Sequence, residues 1–238
     1  MTQPDIAAGI SADLAATGFA RRDAAIIEPD LAARGMTDWD GFAASWDDLG
    51  LDLYMADGGL YRRRRHAVFT MTETVLRREP QRPHFQSRDY NTLNGGIARW
   101  FDPVLDDIAL HPALRAALDL AYRCFNRTAP HPEWEIELHQ FRISAAVGSA
   151  GEPTPEGMHR DGVDFVMVML VKRENVQSGV TLIEGIDRTP LGSFTLAEPM
   201  DATFVDDHRV LHGVTPITPL DVKKAAWRDV LVATFRKV

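Results

Sequence analysis

The sequence contains a single cysteine and no long apolar run, and each of these shortages excludes a class of protein. One cysteine in 238 residues leaves no intrachain disulfide framework and no zinc site built from several cysteines. Cys124 lies in an apolar stretch, so we expect it to be a small buried hydrophobic residue. No apolar stretch approaches the roughly 20 residues that a bilayer span needs, and no secretory signal pattern is visible. We therefore expect a cytoplasmic protein without membrane contact.

Basic charge is also scarce. The chain carries 26 Lys and Arg against 34 Asp and Glu, a net charge of -8, which argues against a general nucleic-acid binder. The run 62–65, four consecutive arginines, is the exception. It stands between Tyr61 and the apolar group 67–69, so it fits either a strand with some arginines in solvent or an anion-binding segment.

The length and the 45% hydrophobic content suit a single domain with a substantial core. We expect one domain over 1–238, with residues 1–58 as a helical N-terminal elaboration and 59–238 as the core with its supporting helices. Helical spacing runs over Asp5–Ala20 and, with interruptions at two prolines, from about residue 97 to residue 127.

Short strand-like segments separated by Gly and Pro turns dominate the chain after residue 133. The predicted strands are Trp134–Ala145, Asp164–Lys172, Gly179–Glu184, Gly192–Thr195, Ala202–Asp206 and Trp227–Arg236, with an earlier one at Tyr61–Met71. Runs of helix followed by runs of strand indicate an α+β protein. A double-stranded β-helix, the cupin-type jelly roll, flanked by N-terminal and mid-chain helices, fits this order.

The stretch Met158–Gly162 is the main candidate for a functional site. His159 and Asp161 stand two apart, so on an extended segment both side chains point to the same side. If His212 joins them from a neighbouring strand, two histidines and one carboxylate occupy one face of a metal ion, as in non-heme Fe(II) oxygenases. On spacing alone a surface turn explains the pair equally well. No partner pattern links the histidines His66, His84, His111 and His131.

The residues 155–165 resemble the signature of a bacterial family of iron- and 2-oxoglutarate-dependent dioxygenases that includes the L-isoleucine 4-hydroxylases. Further similar stretches are 84–87, 90–91, 95–96, 139–142, 206–216 and 228–232, so the resemblance spans roughly residues 60 to 236. It implies Fe(II) held by His159, Asp161 and His212. It also implies 2-oxoglutarate and O2 as co-substrates, with release of succinate and CO2.

The distal carboxylate of 2-oxoglutarate needs a cation, ideally the planar fork of an arginine. The resemblance implies an Arg or Lys on the strand after the distal histidine, and we favour Arg228 over Arg236, which lies at the end of the chain. For the substrate we expect Gln140, Arg142 and Asp164 to contribute. A structural salt bridge for Arg142 and a turn-capping role for Asp164 remain equal alternatives.

The leading hypothesis is therefore a hydroxylase that acts on a free, aliphatic L-amino acid. Two alternatives stay open: a cupin-like metalloenzyme that does not use 2-oxoglutarate, and a non-catalytic stress- or biofilm-related sensor. The sequence leaves open which amino acid and which carbon react, and whether the protein is a homodimer.

Overall fold

The computed structural model describes residues 5–238, so the first four residues of the expected N-terminal elaboration lie outside it. The helices are α1 (Ile6–Thr17), α2 (Ala24–Ala33), α3 (Trp39–Ala44), α4 (Asp106–Ala109) and α5 (Pro112–Thr128). The strands are β1 (Phe19–Arg22), β2 (Gly50–Leu51), β3 (Arg62–Met71), β4 (Leu76–Arg78), β5 (Trp134–Ala145), β6 (Phe165–Glu174), β7 (Val176–Ser178), β8 (Thr181–Gly185), β9 (Pro190–Phe194), β10 (Ala202–Asp206), β11 (Val210–Val214), β12 (Ile217–Pro219) and β13 (Ala226–Lys237). A short 3₁₀ helix, Ser45–Asp48, follows α3.

The strands of residues 5–238 form one main sheet and two smaller ones. The main sheet has eight strands, in the order β1-β10-β6-β13-β5-β3-β2 with β4 paired to β3. The smaller sheets have the orders β11-β8-β9 and β12-β7, and the long central strand β13 pairs antiparallel with both β5 and β6. Two antiparallel layers around a cavity, with helices outside, confirm the predicted α+β jelly roll.

The two faces of the main sheet differ in chemistry because side chains alternate along each strand. In β5, Trp134, Ile136 and Leu138 join the large apolar cluster that contains α1 and α5. The other face of β5 carries Glu135, Glu137, His139, Phe141 and Ile143, which line the cavity. A fully buried large apolar side chain contributes roughly 1.5–3 kcal/mol, so the outer layer supplies stability and leaves the inner face for chemistry.

Helix α5 covers the outer face and begins later than its apolar pattern predicts. Pro112 occupies its first turn, where no N–H is needed, and the His111 side chain accepts a hydrogen bond from the Ala113 N–H at 3.2 Å. The prediction of helix from residue 97 is wrong up to residue 105. There the chain runs along β3 instead: the His66 N–H donates to the Asp102 carbonyl at 2.9 Å, and the Val104 N–H to the His66 carbonyl at 3.1 Å.

The N-terminal region adds two strands to its helices. Strand β1 pairs with β10, and β2 pairs with β3 at the opposite edge of the main sheet. Helix α1 ends at Thr17, because Gly18 adopts a left-handed conformation (φ 84°), which turns the chain into β1. Among residues 5–238, every helix is too short or too polar to cross a membrane.

Candidate metal centre and its cavity

The structure brings His159, Asp161 and His212 together at one end of the cavity. An isolated antiparallel bridge pairs the two histidines, with N–O distances of 3.0 and 2.9 Å between their backbones. The His212 Nε2 atom lies 3.4 Å from the Asp161 Oδ2 atom, and the His159 Nε2 atom lies 3.8 Å from Oδ1. One ligand atom from each residue lies within 4.8 Å of the others, a spacing at which all three can bind one ion.

Neighbouring groups fix the orientation of these side chains. The His159 Nδ1 atom lies 2.9 Å from the Gly157 carbonyl; as the donor in that contact it carries the proton, which leaves Nε2 free to bind a metal. The Asp207 carboxylate accepts the backbone N–H groups of Asp161 and Gly162, at 2.9 and 2.7 Å. Gln86 donates to the Asp161 Oδ1 atom at 3.3 Å. Asp207 and Gln86 are therefore supporting residues that the sequence did not single out.

The charges around the three residues favour a cation. Burial would raise the pKa of Asp161, but His212 and His159 outweigh it and hold this pKa below its usual range. Burial lowers the pKa of His212, but the neighbouring carboxylates of Asp161 and Asp207 raise it by more than burial lowers it. The pKa of His212 is therefore raised overall. Two imidazole nitrogens and a carboxylate that face open space form a donor set that suits Fe(II). The residues present thus fit the implied metal.

The cavity extends from these three residues between the main sheet and the smaller sheets. Its apolar lining is mainly β-branched, and its cationic lining comes from strands β3 and β13 and from residue 99. The arginines, the glutamate and the valines that line it include Arg62, Arg64, Arg99, Glu156, Val163, Val168, Val214, Arg228, Val230 and Val232. A small molecule with charged groups and an aliphatic part matches this lining.

Arg228 reaches the cavity from β13 and is 2% exposed. Its Nε and Nη2 atoms have no hydrogen-bond partner within residues 5–238. Burial and then the neighbouring Arg173 lower its pKa to about 10, so the guanidinium stays charged at neutral pH. The alternative candidate, Arg236, is exposed and donates to the Gly162 carbonyl at 3.3 Å.

Gln140 and Arg142, predicted as substrate residues, lie on the helix-facing side of β5. They share the parity of the apolar residues of that strand, so they point away from the cavity. The Gln140 Nε2 atom donates to the Ser45 hydroxyl at 2.8 Å. Arg142 forms two hydrogen bonds of 2.7 Å with Asp229 and one of 2.8 Å with Asp47. This placement agrees with the structural alternative for Arg142 and gives neither residue a route to the cavity.

Asp164 also lies outside the cavity lining. It accepts a hydrogen bond from the Lys237 N–H at 2.8 Å, and its Oδ1 atom lies 3.1 Å from the His208 Nε2 atom. It borders a separate small depression together with Arg160, whose guanidinium lies 5.3 Å from the centre of the Tyr90 ring. Its surroundings therefore favour the turn-capping role.

A second cluster of histidines was missed in the sequence. His66, His84, Glu137 and His139, here called the histidine–glutamate group, place one ligand atom each within 4.8 Å of the others. Glu137 contacts His84 Nδ1 closely, and its Oε2 atom lies 3.4 Å from the His66 Nε2 atom. Three separate chain segments supply the group. Glu137 and His139 stand two apart on β5, which is a local signal, but their contact with His66 depends on the sheet register and their contact with His84 on a distant segment.

Comparison with known protein families identifies the family to which the chain belongs. The family model described as 2OG-Fe dioxygenase matches residues 43–234, a range that contains all three candidate metal ligands. The chain belongs to the 2OG-Fe dioxygenase family. Members of this family use Fe(II), 2-oxoglutarate and O2, so the expected cofactors and the oxidoreductase class are confirmed.

Individual relatives of this dioxygenase point in the same direction. It is 29% identical over 157 residues to L-isoleucine-4-hydroxylase from Bacillus thuringiensis, which covers 64% of each chain. It is 27% identical over 159 residues to 3(1)-hydroxy-L-isoleucine 4-dioxygenase from Pantoea ananatis, or 65% of this chain and 64% of that one. The matched part thus spans 64% of the length of these curated relatives.

A solved structure covers more of the chain. The crystal structure of a bsmA homologue from Methylobium petroleophilum PM1 is 36% identical, with a TM-score of 0.88 over 100% of this chain and 95% of that one. The N-terminal helices and strands, which lie largely outside the family match, are therefore part of a fold that this relative shares.

Proposed function

We propose that the protein is a dioxygenase that hydroxylates a free, aliphatic L-amino acid, with His159, Asp161 and His212 as the ligands of Fe(II). The names of the two curated relatives support the substrate class. The valines of the cavity lining support the aliphatic part, because burying an aliphatic side chain against apolar surface contributes roughly 0.8 kcal/mol per CH₂.

Arg228 is the observation on which the proposal depends most. A fully buried guanidinium without an acidic partner carries a large desolvation cost, and a carboxylate with two oxygens matches its planar fork. We assign it to the distal carboxylate of 2-oxoglutarate. A cupin-like metalloenzyme that does not use 2-oxoglutarate gives no reason for an unpaired buried arginine in the same cavity as the metal ligands.

When bound, iron, 2-oxoglutarate and O2 would supply the oxidising chemistry, in which one oxygen atom enters succinate as 2-oxoglutarate loses CO2 and the other hydroxylates the substrate. The chain's own residues have other tasks. The protonated Nδ1 atom of His159 donates a hydrogen bond to the Gly157 carbonyl, and the Asp207 carboxylate accepts hydrogen bonds from the backbone of Asp161 and Gly162. These contacts hold the metal ligands in their orientation. The apolar cavity wall excludes water around the reacting C–H group.

The test is turnover with a panel of the twenty L-amino acids. Protein loaded anaerobically with Fe(II) and 2-oxoglutarate is exposed to O2, and succinate and product mass are measured. We expect at least one aliphatic amino acid to yield succinate above the substrate-free background and a product heavier by one oxygen atom. If no amino acid in the panel does so, the proposed substrate class is wrong.

A matched pair of arginine variants tests the assignment of Arg228. By calorimetry on anaerobic Fe(II)-loaded protein, Arg228→Ala should weaken 2-oxoglutarate binding by at least about 30-fold, since losing one partner of a buried charge pair costs about 2–5 kcal/mol. Arg236→Ala, which removes an exposed arginine bordering the same cavity, should change the affinity less than about threefold. Equal losses in both variants would contradict the assignment.

A further inference from the structure

Two arginines of the cavity are fully buried and unpaired, and 2-oxoglutarate accounts for only one of them. Arg99 and Arg228 are each 2% exposed, and the Nε atoms of both lack a hydrogen-bond partner within residues 5–238. Arg62, by contrast, has its Nε atom 2.8 Å from the Asp52 carboxylate. A buried guanidinium without a partner is the property that indicates an anion site at Arg228. Arg99 has the same property and therefore indicates a second anion site.

The surroundings of Arg99 do not supply that anion. Arg62 and Arg64 share the single Asp52 carboxylate, at 2.8 and 3.6 Å, so this carboxylate is already engaged by two guanidinium groups. Burial and then Arg62 lower the pKa of Arg99, and the charges of Asp52, Glu156 and Glu137 only partly offset this. In the described part of the chain, the ion pairs of these carboxylates go to other residues, and none goes to Arg99.

The backbone around Arg99 holds it in place. The Arg99 N–H donates to the His84 carbonyl at 2.9 Å, and the His84 N–H donates to the Arg99 carbonyl at 2.9 Å. This bridge ties residue 99 to the segment whose Gln86 side chain contacts Asp161. A ligand bound to Arg99 is thereby held at a fixed position relative to the metal ligands, which is what positioning a substrate requires.

Glu156 supplies the opposite charge in the same cavity. Its Oε2 atom is buried without a hydrogen-bond partner in the described part of the chain, and its Oε1 atom lies 3.5 Å from the His159 Nε2 atom. The Glu156 carboxylate is near enough to Arg99 to raise the pKa of that guanidinium, but within residues 5–238 the two form no ion pair. An unsatisfied buried carboxylate oxygen calls for a donor, ideally a cation.

We propose that Arg99 and Glu156 bind the two charged groups of an L-α-amino acid, Arg99 the α-carboxylate and Glu156 the α-ammonium. This assignment rests on the proposed function and adds the residues that select a free amino acid. A zwitterionic head group satisfies both unpaired side chains at once, which neither a plain acid nor a plain amine can do. The valine-lined part of the cavity then takes the aliphatic side chain.

Binding of three related probes tests both halves of the site. Anaerobic protein loaded with Fe(II) and 2-oxoglutarate is titrated by calorimetry with L-isoleucine, with 3-methylpentanoate, which lacks the ammonium, and with 2-methylbutylamine, which lacks the carboxylate. If another amino acid gives more succinate in the panel, it and its matching acid and amine replace these probes. We expect L-isoleucine to bind at least about tenfold more tightly than either analogue.

The variants separate the two charges. Arg99→Met should weaken the binding of L-isoleucine and of 3-methylpentanoate by at least about 30-fold. Arg99→Lys, which keeps the charge but not the planar guanidinium, should weaken the binding of both by about tenfold. Glu156→Gln, nearly isosteric, should weaken L-isoleucine by about tenfold and leave 3-methylpentanoate within about twofold. Arg63→Met removes an exposed arginine on β3 and is the control for lost charge. It should change the affinity for each probe by less than about twofold. Thermal unfolding of each variant confirms that it is folded.

The affinity for 2-oxoglutarate distinguishes the possible failures. If Arg99→Met binds L-isoleucine as tightly as the wild type, or loses affinity for 2-oxoglutarate instead, the carboxylate assignment is overturned while the proposed function stands. If Glu156→Gln weakens 3-methylpentanoate as much as L-isoleucine, the ammonium assignment is overturned. If the wild type binds no amino acid and releases no succinate with any of them, the proposed function fails and this site fails with it.

Discussion

Two groups of histidines and carboxylates, one in the cavity and one partly in its wall, bring their ligand atoms within 4.8 Å of one another, and only the first has the electrostatics of a metal centre. In His159–Asp161–His212, the Nδ1 proton of His159 is bound to a carbonyl, so Nε2 is free. In the histidine–glutamate group, Arg64 donates to the Nδ1 atom of His139 at 2.7 Å. A neutral imidazole that accepts at Nδ1 must carry its proton on Nε2, which removes that nitrogen as a ligand.

Charge separates the two groups further. Carboxylates surround the first group, since Asp207 and Glu156 lie beside it. Arginines surround the second: Arg64 contacts His139, and Arg82 lies 3.8 Å from Glu137. Proximity of ligand atoms is therefore insufficient to identify a metal site. The first group is arranged to receive a cation, whereas in the second the Glu137 carboxylate already has His84 as a hydrogen-bond partner and Arg82 as a neighbouring cation.

The largest effect that would test this difference is on metal content. Asp161→Ala should lower iron affinity by more than the about 10- to 100-fold that is typical for residues that only support a ligand, and turnover should fall with it. Glu137→Ala should retain the wild-type stoichiometry of iron. Elemental analysis of both variants after anaerobic loading and desalting is the measurement. Loss of a metal equivalent from Glu137→Ala alone would show that the second group is also a metal site.

A smaller effect is expected on the stability of the metal-free protein. Glu137→Ala leaves the His84 donor unsatisfied in a buried setting, so the free energy of unfolding should fall by about 1–3 kcal/mol. Asp161→Ala should lower the free energy of unfolding by less, because removing this carboxylate also relieves its repulsion of the Asp207 carboxylate. Burial first and this repulsion second raise the pKa of Asp207. Urea unfolding in the presence of a chelator compares the two. A larger loss for Asp161→Ala would contradict the comparison.

The smallest effect is on the pH dependence of stability. Burial lowers the pKa of His84 to about 4 from the ordinary 6.5, against the upward pull of Glu137. Between these values the unfolded chain binds a proton that the folded protein does not, so His84 lowers the stability as pH falls from 6.5 towards 4. The expected contribution is about 1 kcal/mol per pH unit.

Urea unfolding between pH 7 and pH 5 measures this contribution as the difference in slope between the wild type and His84→Gln. Identical slopes for the wild type and His84→Gln would show that the pKa of His84 is not lowered in the folded protein.

The sequence revealed those parts of the site that are local in the chain or that lie in a family signature. His159 and Asp161 stand two residues apart, and the resemblance, which includes residues 206–216, supported His212 as the third ligand. Residues whose partners come from distant segments were missed, Asp207 and Arg99 among them, because their roles depend on burial and on which charges lie opposite. No spacing in the chain encodes a missing partner.

The substrate residues Gln140 and Arg142 show a different kind of limit. Their strand was predicted with its observed bounds, Trp134–Ala145, but the cavity face was assigned to the wrong parity. The apolar residues Trp134, Ile136 and Leu138 already indicated which side packs against helices. That inference needed the knowledge that the helices cover the outer face of the sheet, which strand periodicity alone does not give.

The division of β5 and β13 into an apolar face and a cavity face has a consequence for protein engineering. Because alternate positions belong to different layers, a variant library limited to cavity positions such as Glu135, Phe141 and Val230 leaves the packing under α5 untouched. Such a library can search for new substrates with little loss of folded protein. A single-residue insertion in either strand would do the opposite and expose the core layer to the substrate.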